Sequence, residues 1–140
     1  MKSGSRELAE RAVELTVGER YALANLLPND GNFVQLTVVK NMRTRLELTV
    51  DEAERWGFER DAGGWKPKNP EEAPDLLERV ADVALTERMW DLATETLRKL
   101  DGDGRLHITQ LGLYEKLVIA PEREEQTEVL REAEQLARRA

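Results

Sequence analysis

The chain has no cysteine, one histidine and few aromatics: two Phe, three Trp and two Tyr in 140 residues. Without thiols it cannot form disulfides, thiolate metal centres or a cysteine nucleophile. The lone imidazole, His107, leaves any metal site in need of carboxylates at fixed spacing, and no such spacing is apparent. No apolar run approaches the roughly 18 residues of a membrane-spanning helix, and no signal-like apolar stretch follows Met1. These absences lead us to expect a cytoplasmic protein with no membrane partner, no cofactor and no metal.

Charge is plentiful. Acidic and basic residues make up 35% of the chain and the hydrophobic share is 40%, with a net charge of −7. That balance suits a globular protein with long solvated helical faces, and it disfavours broad affinity for phosphate backbones. The basic residues are 15 Arg against 6 Lys, a bias compatible with a GC-rich or thermophilic source. No internal repeat is visible.

Local signals divide the chain. Leu8, Ala9, Ala12, Val13 and Leu15 form a narrow stripe that suggests a helix over 5–15. Thr16 and Glu19 have the spacing of a capping box, which predicts a helix to about Leu27, stopped by Pro28 and Asn29-Asp30-Gly31-Asn32. In 33–46 the β-branched residues suit a strand, while Val34, Val38, Met42 and Leu46 recur every fourth position behind a capping Asn32. We take the helix. Thr49 and Glu52 make a second capping box for a short helix to Trp56 ended by Gly57, and Phe58–Lys66 then reads as a hairpin around Gly63-Gly64.

Pro67–Pro74, with three prolines and two acids, reads as a loop and the most mobile part of the middle. Leu76–Leu85 opens a helix or contains a strand, Val80–Leu85, returning to the hairpin. Thr86 caps a helix striped by Trp90, Ala93, Leu97 and Leu100. A short helix with Leu111, Leu113, Tyr114 and Leu117 and a thinly apolar last helix, 122–139, complete the chain. The expected fold is α+β and mainly helical. It is a single domain over 1–140, a helical cluster around a two- or three-stranded antiparallel sheet, with its core at about 16–118 and flanking helices at about 5–15 and 122–139.

Lys99–Gln110 falls in register on a calcium-binding EF-hand loop, with acids at the third and fifth places and Gly at the sixth. Lys99 stands where the first carboxylate belongs and Gln110 replaces the bidentate Glu, so the segment reads as a Gly-rich turn. His107 lacks an orienting carboxylate and a nucleophile in a cleft, and reads as a surface or capping residue. No catalytic constellation stands out.

Two features suit contact with a partner. Lys40, Arg43 and Arg45 concentrate positive charge in a segment with no acid between Phe33 and Leu46. Such a strip pairs with the protein's own acids, with an acidic partner or with nucleic acid. The order of helix, short helix and hairpin is similar to that of winged-helix DNA readers. Yet Asp51, Glu52 and Glu54 occupy the recognition position, where they would face phosphates badly. Trp56, Phe58 and Trp65 crowd the hairpin, where they pack it against helices or face a partner.

The stretch Glu19–Phe33, with Leu36 and Val39, resembles small phage and prophage proteins that carry an "Arg … Leu-Leu-Pro … Gly-Asn-Phe" opening. Gly57-Phe58, Trp65-Lys66-Pro67 and Leu113-Tyr114-Glu115-Lys116-Leu117 fit the same pattern. The resemblance covers Thr16 to Val118, and its motifs are turns, caps and core positions from which no functional residue carries over. It implies a helix at 33–46, a strand at Val80–Leu85 and a phage origin. The expected function is a non-enzymatic regulator acting by protein–protein interaction. The best concrete target is host RNA polymerase or its initiation factor, with altered transcription as the result. The alternatives are a nucleic-acid-binding regulator using the basic strip and hairpin, or an assembly component whose terminal helices pair between subunits. Oligomeric state stays open.

Overall fold

The computed structural model describes residues 10–139. The described residues are mainly helical, with two antiparallel sheets of two strands each. It forms two compact units, Met1–Ala93 and Thr94–Ala140.

The first unit begins with β1 (Glu10–Thr16), followed by α1 (Val17–Leu26), α2 (Phe33–Leu46) and α3 (Val50–Trp56). The hairpin strands β2 (Phe58–Asp61) and β3 (Gly64–Pro67) come next, then a 3-10 turn (Pro70–Glu72), α4 (Ala73–Leu77) and β4 (Val80–Thr86). The helix α5 (Glu87–Gly102) starts in this unit and ends in the second.

Local chemistry sets most helix boundaries. Both capping boxes form: the Thr16 hydroxyl accepts from Glu19 N–H at 3.0 Å, and the Thr49 hydroxyl from Glu52 N–H at 3.1 Å. Asn32 caps α2 by accepting from Gln35 N–H at 2.8 Å, and Thr86 caps α5 by accepting from Met89 N–H at 3.3 Å. Gly57 ends α3 with a left-handed φ of 83°, a conformation that strains residues with a side chain.

The helix expected over 5–15 is corrected in its described part. Glu10–Thr16 is a strand in which Val13 and Leu15 are buried while Ala12 and Glu14 face outward. Ala, Arg and Glu favour helix locally, but antiparallel pairing with β4 aligns Val13 with Val83 and Leu15 with Ala81, completing one buried sheet face. Residues 5–9 of that expected helix lie outside the described residues. The strand expected at Val80–Leu85 is present, but it pairs with β1 and not with the hairpin, whose strands, among the described residues, pair with each other alone. The segment read as a loop at Pro67–Pro74 is partly ordered: Pro70 and Pro74 stand in the first turns of the 3-10 turn and of α4, where a missing N–H costs nothing.

One cluster in this unit comprises Val17, Leu48, Ala53, Phe58 and Leu76, with Trp56 and Trp65 half-buried against it. Leu15, Leu23, Leu27, Met42 and Leu85 are also fully buried. In the second unit a 3-10 turn (Ile108–Gln110) leads into α6 (Leu111–Tyr114), a π-helical turn (Glu115–Ile119) and α7 (Ala120–Arg139). Leu97, Leu113, Leu117 and Val118 are its buried apolar residues. No helix among the described residues is long and apolar enough to cross a membrane.

Candidate partner-binding surface

Two arginines fix the position of α2 by reciprocal capping. A helix leaves its last carbonyls without intrahelical donors, and a guanidinium is well shaped to supply several at once. Arg20 of α1, only 3% exposed, donates from Nε to Leu46 O at 3.0 Å and from Nη2 to Glu47 O at 2.5 Å, closing the end of α2. Arg43 of α2 returns the contact, donating to Ala24 O at 3.3 Å, Leu27 O at 3.1 Å and Asn29 Oδ1 at 2.8 Å around the end of α1.

Arg20 also meets Glu52 of α3 with two parallel hydrogen bonds, at 3.0 and 3.1 Å. The same carboxylate accepts from Thr49 N–H at 3.0 Å, so one glutamate serves both the ion pair and the capping box. Burial alone would push the Glu52 carboxyl up. The Arg20 hydrogen bonds, the Thr49 contacts and the Arg20 charge outweigh it and hold the group below the ordinary value of 4.5.

With α2 anchored through Val39, Met42 and Leu46, a second stripe of the helix faces outward. Val34, Thr37, Val38, Asn41, Thr44 and Arg45 line a groove of about 600 Å³, closed on the other side by Thr86, Arg88 and Met89, with Phe33 at its mouth. Phe33 is 85% exposed and Val34 57%. Thr37 and Thr44 spend their hydroxyl protons on the α2 carbonyls of Phe33 and Lys40, leaving oxygen lone pairs toward the surroundings. Arg45 donates to Ala84 O at 2.9 Å and pairs with Glu10 at 2.6 Å, which ties α2 to both strands of the first sheet. None of the ten groove-lining residues is an acid. The signal for this surface was present in the sequence as the acid-free run from Phe33 to Leu46; the exposure of Phe33 and Val34 was not anticipated.

The six residues expected to meet a partner are placed differently from one another. Lys40 is exposed on α2. Arg43 is occupied with the α1 terminus, and Arg45 reaches the groove while bonded to the sheet. Phe58, at 4% exposure, is a core residue that no partner can reach, so its expected binding role is corrected to packing. Trp56 and Trp65 are half-buried on the same cluster, each with an arginine over its ring: Arg55 at 5.7 Å and Arg60 at 5.5 Å. They serve first to seat the hairpin.

Among the described residues no group of three or more His, Cys, Asp or Glu is placed to hold a metal. His107 caps the 3-10 turn, its Nδ1 accepting from Thr109 N–H at 3.2 Å, as a capping histidine would. No protein-family model, curated protein or solved structure matches the chain.

Proposed function

We propose that the protein is non-enzymatic and acts by binding another protein through the α2 groove. The observation that carries this reading is a large exposed aromatic, Phe33, at the mouth of an acid-free groove in a chain of net charge −7. Exposed apolar surface next to hydrogen-bonding groups is the pattern of a contact centre, and aromatics supply much of the energy at such places. The occupant that fits is an amphipathic helix of the partner. Its apolar side chains lie on Phe33, Val34, Val38 and Met89, and its polar flanks meet Thr37, Asn41 and Thr44.

The particular partner, on the resemblance to small phage proteins, is host RNA polymerase or its initiation factor, and the consequence is altered transcription. The nucleic-acid reading has less support, because Arg43 and Arg45 are engaged with backbone carbonyls. Purified host polymerase, with and without initiation factor, should bind the protein and change its run-off transcription in a dose-dependent way. Phe33→Asp should abolish both effects while leaving the fold intact, since an acid is welcome at the first position of a helix. Transcription unchanged at saturating protein, with no binding to either form of polymerase, rules out this partner.

A further inference from the structure

The last helix offers an independent observation. Every residue of α7 from Glu122 to Arg139 is exposed, including Val129 at 59%, Leu130 at 65% and Leu136 at 65%. Helices in proteins persist mainly by burying an apolar face. The face exists: Gln126, Val129, Leu130, Ala133, Leu136 and Ala137 each lie three or four residues from another of the set, on one side of the helix.

We propose that α7 pairs in antiparallel orientation with the α7 of a second copy of this chain. Charge decides both the occupant and the direction. From Glu122 to Val129 the helix carries four glutamates against one arginine, and from Leu130 to Arg139 three arginines against two glutamates. A parallel pair sets acidic half against acidic half. An antiparallel pair sets each acidic half against the basic half of its mate, and a two-fold axis makes the arrangement self-complementary and closed. Placing the axis at Glu132 sets Glu125 of each copy against Arg139 of the other and seats Leu130 between Ala133 and Ala137 of its mate. Ala133 and Ala137 lack bulk and let the two backbones approach closely. Glu132 meets its counterpart near the axis, a like-charge contact that tempers the association. The Arg98–Glu122 ion pair fastens the first turn of α7 to the end of α5, so the paired helix is held within its own unit.

The absence of cysteine makes the geometry directly testable in the full chain. Sedimentation velocity over a concentration series should report a dimer that becomes a monomer in Leu130→Glu/Leu136→Glu. Helical content should be read by circular dichroism to confirm that the rest of the variant is folded. Under mild oxidation Ala133→Cys, the face position nearest the axis, should cross-link to itself. Glu125→Cys and Arg139→Cys should cross-link efficiently only when mixed. A wild-type chain that stays monomeric throughout, or a dimer unaffected by the leucine substitutions, overturns the proposal. Self-cross-linking of Glu125→Cys in preference to the mixed pair overturns the antiparallel orientation.

Discussion

Arg20→Ala removes four hydrogen bonds at once: two to Glu52 and one each to Leu46 O and Glu47 O. Arg20 is 3% exposed and Glu52 9%, so the substitution leaves a buried carboxylate with only its Thr49 contact and takes the Arg20 donors from the end of α2. Removing one partner of a buried pair costs about 3–5 kcal/mol, far more than a surface pair is worth. Set against a total stability of roughly 5–15 kcal/mol, that loss brings the first unit close to unfolding. All three tryptophans, Trp56, Trp65 and Trp90, lie in this unit, so fluorescence during urea unfolding reports on it selectively. With an m-value of about 1.5 kcal/mol/M, the midpoint should fall by about 2–3 M. Glu52→Gln should cost less, about 2 kcal/mol, because glutamine still serves a capping box and the arginine keeps its carbonyls. In the double variant Arg20→Ala/Glu52→Gln the losses should be less than additive, with a coupling of about 1–3 kcal/mol. An Arg20→Ala loss below about 1 kcal/mol, or strict additivity, refutes the view that this pair organises the three helices.

The same carboxylate predicts a pH dependence. Because the Glu52 pKa is lower folded than unfolded, its contribution is complete above the unfolded value near 4.5 and is lost as pH falls through the folded value. The stability gap between wild type and Glu52→Gln should therefore be constant at neutral pH and shrink below about 4.5; a gap that widens on acidification contradicts the assignment. Across the first sheet Glu14 stands opposite Asp82 on the exposed face. Glu14→Lys should turn repulsion into attraction and raise stability by about 0.2–1 kcal/mol, read from the urea midpoint at low salt. Gly57→Ala meets no neighbouring atom within 4 Å, so its cost comes from the left-handed backbone, and thermal unfolding should show a loss of about 1 kcal/mol.

Features carried by neighbours in the chain were legible in the sequence. The two capping boxes, Asn32, Gly57 and Thr86 each act within a few residues of themselves, and the elements they bound agree closely with expectation. What was misread depends on distant partners. Glu10–Thr16 has helix-favouring residues and becomes a strand because β4, some seventy residues later, completes its buried face. Arg20 belongs to the motif that carries the resemblance, but nothing near it in the chain signals its helix-joining role, since its acceptors lie 26 to 32 residues away. Arg43 and Arg45 looked like a basic strip because nothing in the sequence shows that the carbonyls of Ala24, Leu27 and Ala84 take up their donors. The candidate surface was half legible: its lack of acids could be read directly, while the exposure of Phe33 and Val34 depends on which face of α2 the core uses.

Function by contact at the α2 groove is tested most directly by photo-cross-linking. A benzophenone-bearing phenylalanine analogue placed at Phe33 stands at the mouth of the groove, and the same analogue at Ala62, on the exposed hairpin tip, provides the contrast. With purified host polymerase bearing its initiation factor, the Phe33 probe should yield a discrete cross-link to one subunit, and the Ala62 probe none. Cross-linking from Ala62 with none from Phe33 would move the interface to the hairpin and contradict the account.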